Sequence, residues 1–562
     1  MKGGRHASAQ SDPATETIYP MISWSPVKRA FAPSDADKVM PLLSIPPFPG
    51  SRHSPFATLL KTAPSFDADA LLSAIAKHRV GGRYWGRQLP LSAANFVLDG
   101  TSSPLPGAVL WPDDVDPWYL LDKAASVRLR HGDIRGLLAR AADRPLTFVD
   151  NYGAEKKGDE DVAPLVALGI AGWRWRSPFD GAELSPIEAI ELCGFWRQLI
   201  DANRRFDTVL GIAEWKKSTV SPLLWGGSAV PYGVRVSKNR RKQVVAAWRS
   251  RLSEAQKYEI SVRSPVVVEI EDGFIRSVGL GADCVPPLSI VVDPQGIHFD
   301  PCSASTLENL LQHGEFTQDL LSRAQRLRQA IVEARLSKYG RGRESLARPG
   351  GTRLHVLVAG QVEDDRSVTS GLALPSNLAL LKRVRAEVGP SAYLIYKPHP
   401  DVLAGHRRGD VPQAELAQLA DHVEVEASMP ALIEMIDELH VNTSLAGFEA
   451  LMRGKPVTVY GVPFYSGWGL TVDRGAVPER RTAKRSLDEL VAAALLLYPR
   501  YLDPDTGLPA PAEVLIQKLS VGSQRLNYRI KTIVAVRRAL GRLRRVLPSR
   551  VASGASTPLS SD

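Results

Sequence analysis

The chain has 562 residues, 44% of them hydrophobic and 23% charged, with a formal net charge of +10. A chain of that length outgrows one hydrophobic core and predicts roughly two to four domains, and its apolar content excludes a disordered protein. Three cysteines, Cys193, Cys284 and Cys302, have neither CxxC spacing nor a nearby histidine cluster, which argues against a zinc or disulfide framework and suits a reducing compartment.

Residues 1–50 are rich in Pro and Ser without periodicity and read as a flexible leader. They begin Met1-Lys-Gly-Gly-Arg-His6 without the apolar stretch of a secretory signal. No run approaches the roughly 20 apolar residues of a membrane span, so a cytoplasmic protein is expected. Across 51–185, apolar runs alternate with helical patterns, among them Asp116-Pro-Trp-Tyr-Leu-Leu-Asp122 and Arg144-Pro-Leu-Thr-Phe-Val149, which predicts an N-terminal α/β domain. Laid beside Met429–Gly461, the stretch Asp116–Asp150 shows the same succession of helix, strand, helix, then a basic residue and proline opening a further strand. The first copy has Arg-His-Gly-Asp at 130–133 where the second has Asn-Thr-Ser-Leu at 442–445, and its helix has no glutamate. Either a degenerate module or the shared patterning of any two strand-helix-strand segments accounts for the likeness.

Residues 186–350 form a second predicted unit. Ser185 to Gly227 reads as helical, with Trp196, Trp215 and Trp225 as packing residues and Ala213-Glu-Trp-Lys-Lys217 at a helix start. The strand Val266-Val-Val-Glu-Ile270 then runs into Glu271-Asp-Gly-Phe-Ile-Arg-Ser-Val-Gly-Leu-Gly281, and Leu288-Ser-Ile-Val-Val-Asp293 continues the domain. After a Gly- and Arg-rich break at 340–352, Leu354-His-Val-Leu-Val-Ala359 opens a further α/β unit assigned to 351–515. Two α/β halves facing a shared cleft are expected. In the last segment, 516–562, nine Arg or Lys and no Asp or Glu fall between Arg525 and Arg550, so the rest of the chain is close to neutral. There Leu526, Ile530, Ile533, Leu540, Leu543 and Leu547 recur at helical spacing among arginines. This is the pattern of a helix lying on an anionic membrane surface, or of a solvated terminal helix packed on the body. Nucleic acid is not an expected partner, because no aromatic-basic interleaving accompanies the charge.

Two stretches carry the chemistry of the 351–515 unit. Val441-Asn-Thr-Ser-Leu-Ala-Gly-Phe-Glu-Ala-Leu451 is followed by Gly454-Lys-Pro-Val-Thr-Val-Tyr-Gly461 and Pro463-Phe-Tyr-Ser-Gly-Trp-Gly-Leu-Thr471. The order strand, Thr-Ser loop, helix, strand, Gly-rich loop is how an α/β protein builds an anion site at a helix N-terminus, and a phosphate-bearing donor suits it. Thr443 and Ser444 are placed as N-cap and anion donors, and Glu449, flanked by Leu445, Phe448 and Leu451, as an acceptor for vicinal sugar hydroxyls. Upstream, Tyr393-Leu-Ile-Tyr-Lys-Pro-His-Pro400 ends an apolar run in Lys397 and His399, their backbone fixed by Pro398 and Pro400. A lysine and an imidazolium neutralise a leaving phosphate, and His399 is also able to donate a proton to it.

Of the remaining polar groups, Glu271 and Asp272 at a strand end are candidates for nucleophile or base, and Arg276 for gripping a substrate carboxylate in a fork. Gly360-Gln-Val-Glu-Asp-Asp-Arg-Ser367 offers Gln361 and three acids to a sugar or base. Read structurally, the same residues are a Pro-rich turn, a helix cap and an ordinary polar turn. No acid is paired with histidines at ligand spacing, and no catalytic metal is expected.

Taken together, Glu271–Gly281, Gly360–Asp365, Lys397-Pro-His-Pro-Asp401 and Thr443–Leu451 with Pro463–Thr471 closely resemble the KpsC-type capsule polysaccharide transferases of Gram-negative bacteria. The resemblance covers roughly Cys193 to Leu502, and Trp196 to Lys217 is similar to that family's module entry. It implies a GT-B-like pair of Rossmann-type domains, here with an additional N-terminal α/β domain and a basic C-terminal helix. The implied reaction is transfer of β-linked Kdo from CMP-Kdo with retention of configuration and without a metal or other cofactor. Retention needs a carboxylate on the face opposite the departing phosphate and cationic help for the leaving group.

By this resemblance His399 and Ser444 would hold the CMP phosphate, Lys397 would support them, and Glu449 would hold the ribose. Gln361 and Asp364 would lie near the sugar or acceptor. Asp272 is the expected nucleophile, with Glu271 and Asp364 also chemically suited. The acceptor would be a glycolipid or phospholipid-linked glycan, the place of action the inner membrane surface, and the partners capsule assembly proteins. The family's larger members carry two complete modules, whereas only the second half of this chain has the motif set, so one active site is expected. Another CMP-linked ulosonic acid as donor, or a non-catalytic place in a capsule assembly complex, are the alternatives.

Overall fold

A computed structural model describes residues 40–521, apart from 89–94, 151, 156–161, 234–242, 277–284, 339, 342–344, 404 and 406. Residues 1–39 and the basic tail from 522 onward, with its expected membrane-binding helix, lie outside the described residues. Residues 41–50, read from the sequence as leader, are packed. Leu42, Leu43, Ile45 and Phe48 are buried, and Phe48 meets Trp225 edge-on at 5.0 Å. Prolines interrupt this segment too often for its apolar residues to show a period.

In the N-terminal domain, β1 (Ala57–Leu59), β2 (Phe96–Asp99), β3 (Val109–Leu110), β4 (Ala124–Arg130), β5 (Leu146–Val149), β6 (Trp173–Arg176) and β7 (Glu183–Leu184) form two sheets. One is parallel, in the order β3-β2-β4-β5, and the other antiparallel, in the order β1-β6-β7. The next helix, Pro186–Asn203, starts at a capping box made by Ser185 and Glu188 with proline in its first turn. It buries Trp196 and Ile200 in the N-terminal core, and its Arg197 meets the fully buried Asp116 at 2.8 Å. The helical reading of 185–227 needs correction, because β8 (Thr208–Leu210) lies between this helix and a second at Glu214–Leu224. Gly211, at φ +76°, turns the chain out of β8 in a conformation that glycine adopts without strain.

The first lobe is built on β8, β9 (Val244–Ala247), β10 (Val266–Asp272) and β11 (Ser289–Asp293). A short hairpin, β12 (Leu336–Ser337) and β13 (Gly340–Arg341), leads to the second lobe: β14 (His355–Ala359), β15 (Tyr393–Lys397), β16 (His422–Val423), β17 (Glu438–Val441), β18 (Val457–Val459) and β19 (Val472–Asp473). The chain then returns. Strands β20 (Pro499–Leu502) and β21 (Pro509–Ala510) complete the first sheet in the order β21-β20-β11-β10-β9-β8, and the helix Ala512–Val521 buries Leu515, Ile516 and Leu519. The lobe boundary expected at 515 is therefore crossed earlier, and 516–521 belong to a packed helix rather than to the tail.

The second lobe's sheet is wholly parallel, ordered β16-β15-β14-β17-β18-β19. Every residue of β14 is buried, as expected of a strand covered on both faces. Strand order reverses at β14, so a crevice opens beyond the carboxyl ends of β14 and β17, where such sheets bind ligands. The parallel N-terminal sheet has the same order, β3-β2-β4-β5 matching β15-β14-β17-β18, and places Asp116–Asp150 where Met429–Gly461 stands in the second lobe. A continuous core joins the two lobes, with Phe274 stacked on Phe464 at 4.5 Å.

Candidate active site

Strand β10 ends in Glu271 and Asp272, registered opposite Val291 and Ile290 of β11. The following Gly273 has no room for a side chain, since a Cβ there would run into the Ser289 hydroxyl. Asp272 Oδ1 lies 3.2 Å from Lys216 Nζ, and Oδ2 lies 2.9 Å from Arg276 Nε. Lys216 comes from the first turn of the helix Glu214–Leu224 and sits 3.2 Å from the centre of the Trp248 ring. Burial opposes ionisation of Asp272, but the charges of Arg276, Lys216 and Lys338 outweigh it and hold this carboxyl below its usual range. Glu271 goes the other way: burial, and then the charge of Asp272, lift it to about 7. Two adjacent carboxylates pushed apart in this manner divide into an ionised group and a proton carrier.

Across the cleft, Gln361 follows β14 and clamps the loop after β17. Its Oε1 accepts from Thr443 N–H at 2.9 Å, and its Nε2 donates to Thr443 Oγ1 at 3.1 Å. The Thr443 methyl fits against Gly371 and Gly461, where any Cβ would approach to 2.6 and 2.7 Å. Ser444 is the N-cap of the helix Leu445–Met452 and accepts from Ala446 N–H at 3.2 Å, while its C=O accepts from the Tyr465 hydroxyl. A helix that starts just past the carboxyl end of a parallel strand offers its N-terminus as a seat for an anion; here Ser444 also takes Gly447 N–H on its C=O at 3.1 Å.

His399 Nδ1 accepts Asp401 N–H at 3.1 Å, so the neutral ring carries its proton on Nε2. Burial lowers its pKa, which makes it a neutral hydrogen-bond donor rather than the imidazolium expected from sequence. Glu449 is 6% exposed, and burial raises its pKa. One of its oxygens accepts Lys338 N–H at 2.9 Å. Lys338 C=O in turn accepts Arg276 N–H at 3.2 Å, so this residue joins the first lobe's carboxylate loop to the second lobe's helix through both main-chain groups. Its charge acts on Asp272, Glu449 and His399 together. A second tie crosses nearby, where both terminal nitrogens of Arg366 lie 3.2 Å from Glu269 Oε2.

The two lobes' groups are linked through shared charged neighbours, Lys338 acting on Asp272, His399 and Glu449 and Asp365 on Glu271 and His399, while Thr443 and Ser444 open the helix that carries Glu449. Three expected contacts fall elsewhere. Arg276 is 1% exposed and its guanidinium is directed to Asp272 and to Val285 C=O, so it supports the carboxylate instead of gripping a substrate. Both ends of the Gln361 amide are engaged by Thr443, which makes it a loop clamp rather than a sugar ligand. Asp364 is exposed and pairs with Arg407 at 3.1 Å, whereas its neighbour Asp365 acts electrostatically on both Glu271 and His399. Lys397 is buried and donates to Val425 C=O at 3.2 Å, toward the 424–425 loop. Among the described residues, no three His, Cys, Asp or Glu side chains cluster as a metal site, and no helix is long and apolar enough to cross a membrane.

The family model of capsule polysaccharide biosynthesis proteins matches residues 243–501. A solved structure, Thermosulfurimonas dismutans KpsC, described as a beta Kdo 2,4 transferase, is 33% identical; the match spans 56% of this chain and 98% of that one, with a TM-score of 0.48. The chain belongs to the KpsC-type capsule biosynthesis family. Its other relatives include the capsule polysaccharide modification protein LipA of Neisseria meningitidis serogroup B, 36% identical over 62% of this chain and 50% of LipA. The lipopolysaccharide-processing protein LpsZ of Rhizobium meliloti is 45% identical over 48% of this chain and 61% of LpsZ. The chain spans about half the length of the LipA relative it matches. Glu271, Asp272, His399, Ser444 and Glu449 all lie within the family segment, whereas Lys216 precedes it. Lys216 and Lys338, charged neighbours of Asp272, are the residues that sequence reasoning did not single out, whereas Asp365 is one of the three acids it offered to a sugar or base. Only Lys216 left a signal, a lysine beside tryptophan at a helix start, where a cation is disfavoured.

Proposed function

We propose that the chain is a retaining β-Kdo glycosyltransferase that uses CMP-Kdo in synthesis of the capsule or surface polysaccharide linker on a lipid-bound acceptor. What supports this reading is a carboxylate pair, Asp272 held below and Glu271 raised above the usual range, that shares Lys338 and Asp365 as charged neighbours with His399 and Glu449 of the other lobe. The donor phosphate sits at that helix N-terminus, where Ser444 and the Nε2–H of His399 bond it, and Glu449 faces the ribose. Asp272 attacks the anomeric carbon as the bond to the phosphate oxygen breaks, and CMP leaves with the electron pair. In the second displacement the acceptor hydroxyl gives its proton to Glu271 in its ionised form, which a group raised to about 7 still populates near neutral pH, while the acceptor oxygen attacks the same carbon and Asp272 departs as a carboxylate. Two inversions give net retention. The growing charge on the phosphate is met by the helix and by the Lys338 ammonium, and the proposed reaction is metal-independent.

One active site per chain follows. In the N-terminal sheet the loop matching Thr443-Ser444 reads His131-Gly132, Arg135 bonds Asp133 at 2.6 Å ahead of the helix, and Arg128 is held on Asp99 at 2.9 Å. That domain then serves acceptor binding or assembly with other capsule proteins, and the enzyme works at the inner membrane surface, where its lipid-linked acceptor lies. The test is product analysis by mass spectrometry and NMR after incubation with freshly generated CMP-Kdo and a short Kdo-terminated lipid acceptor, beside Asp272→Ala and His399→Ala. A single added β-Kdo that both substitutions abolish is the expected result. Transfer only from a different CMP-ulosonic acid moves the donor assignment. Absence of both transfer and CMP release in a protein that still binds CMP refutes the catalytic reading.

A further inference from the structure

Lys216 occupies a costly position. Its side chain is 5% exposed, and it stands in the first turn of the helix Glu214–Leu224. A helix N-terminus repels a cation, and removal from water disfavours it further. Around its ammonium stand Glu271 and Asp272 from β10, Arg276 from the loop after β10, Trp248 from the segment after β9, and Trp215 of its own helix. Its helix neighbours Lys217 and Glu214 pair with each other at 2.6 Å. The Asp272 carboxylate therefore has one oxygen on Lys216 and the other on Arg276, two cations of different kind. The guanidinium is permanently charged, whereas burial lowers the ammonium to about 8.

We propose that Lys216 is a positioning residue for the transfer reaction: seated on the face of Trp248, its ammonium fixes Asp272 Oδ1 so that the carboxylate stays ionised and aimed into the cleft. The proposal rests on Asp272 being the reacting carboxylate. When Lys216 loses its proton, Asp272 keeps only the Arg276 contact and turns toward it, and the first displacement slows. Trp248 supplies a π face that an arginine also accepts, so the charge can be kept while its titration is moved out of range.

The experiment follows CMP release from CMP-Kdo between pH 6 and 10 in wild type, Lys216→Met and Lys216→Arg. CMP affinity and melting midpoint report folding independently, because the CMP-binding groups lie on the other lobe. Wild type should lose rate on the alkaline side near pH 8. Lys216→Met should lower kcat about 100-fold with the donor KM within about threefold, the size of effect that misaiming a reacting group produces. Lys216→Arg should recover much of kcat and carry its alkaline limb past about pH 9.5. A Lys216→Met enzyme of normal kcat, or a Lys216→Arg enzyme that keeps the limb near 8, overturns the proposal. If wild type releases no CMP at all, the functional reading fails, and Lys216 is judged by the crystal structure of Lys216→Met. Asp272 turned away from its wild-type place supports the positioning role, and Asp272 unmoved overturns it.

Discussion

Glu271→Gln tests the division of labour at the end of β10. Burial and the charge of Asp272 lift the Glu271 carboxyl to about 7, against an ordinary 4.5. The difference corresponds to about 3 kcal/mol between its two protonation states in the folded protein. Because the folded pKa lies above the unfolded one, the protonated group favours folding fully below about pH 4.5, and this contribution is lost as the pH rises through 7. Glutamine has no such proton to lose. The variant should therefore melt with wild type near pH 4.5 and gain on it up to about 3 kcal/mol by pH 8.5. With an unfolding entropy of about 2 cal/mol/K per residue, that is a midpoint shift of about 3 °C. Calorimetry of both proteins across this pH range gives the answer directly. Transfer by the variant should fall by about 100-fold or more, the usual loss when a general base is removed. Melting curves that stay parallel from pH 5 to 8.5 would show that Glu271 ionises as an ordinary carboxyl, and the assignment of proton carrier would fail.

Gln361→Leu removes both side-chain bonds that hold Thr443, and CMP affinity by calorimetry should weaken about 5- to 30-fold, as expected for the loss of about 1–2 kcal/mol of hydrogen bonding. Unaltered affinity would separate the loop clamp from the donor site. Gly447→Ala drives a Cβ into the Tyr465 hydroxyl and should cost about 1–3 kcal/mol of stability, part of which Tyr465→Phe restores in the double variant. A Gly447→Ala protein that melts with wild type contradicts the packing argument. Truncation after Gly522 should reduce co-sedimentation with anionic phospholipid vesicles and leave donor turnover unchanged; equal sedimentation would remove the tail from any membrane role.

Much of the architecture was readable because parallel strands buried on both faces appear as unbroken apolar runs. Strands β14 and β15 announce themselves in this way, β10 by the shorter run Val266–Val268 with Ile270, and the polar groups at or just past their ends stand out by contrast. The same logic singles out Glu271, Asp272, His399 and Ser444, each of which lies just past or at the end of a strand or at the helix start that follows one. Where the chain folds back over long range the pattern gave no notice. Strands β20 and β21 complete a sheet begun some three hundred residues earlier, and nothing local in Pro499–Ala510 marks that destination. Short segments were misread for a related reason: β8 is three residues long, too short for alternation to compete with the helical patterns on either side.

The roles of individual side chains were harder to read than their locations. Arg276, Gln361 and Asp364 have the right chemistry to touch a substrate, but each meets a partner inside the protein first: Asp272, Thr443 and Arg407. A sequence shows donors and acceptors without showing which are already paired. Lys338 is the converse case, lying in a segment with no motif and yet bonding the carboxylate loop of one lobe and Glu449 of the other. Its two main-chain bonds require both lobes to be in register, as does the contact between Arg366 and Glu269. Asp272 and His399, which the proposed reaction sets on opposite sides of one anomeric carbon, are thus held at their separation by the ties between lobes as much as by either sheet. A motif on one lobe specifies a chemical group; the distance across the cleft comes from residues that no motif contains.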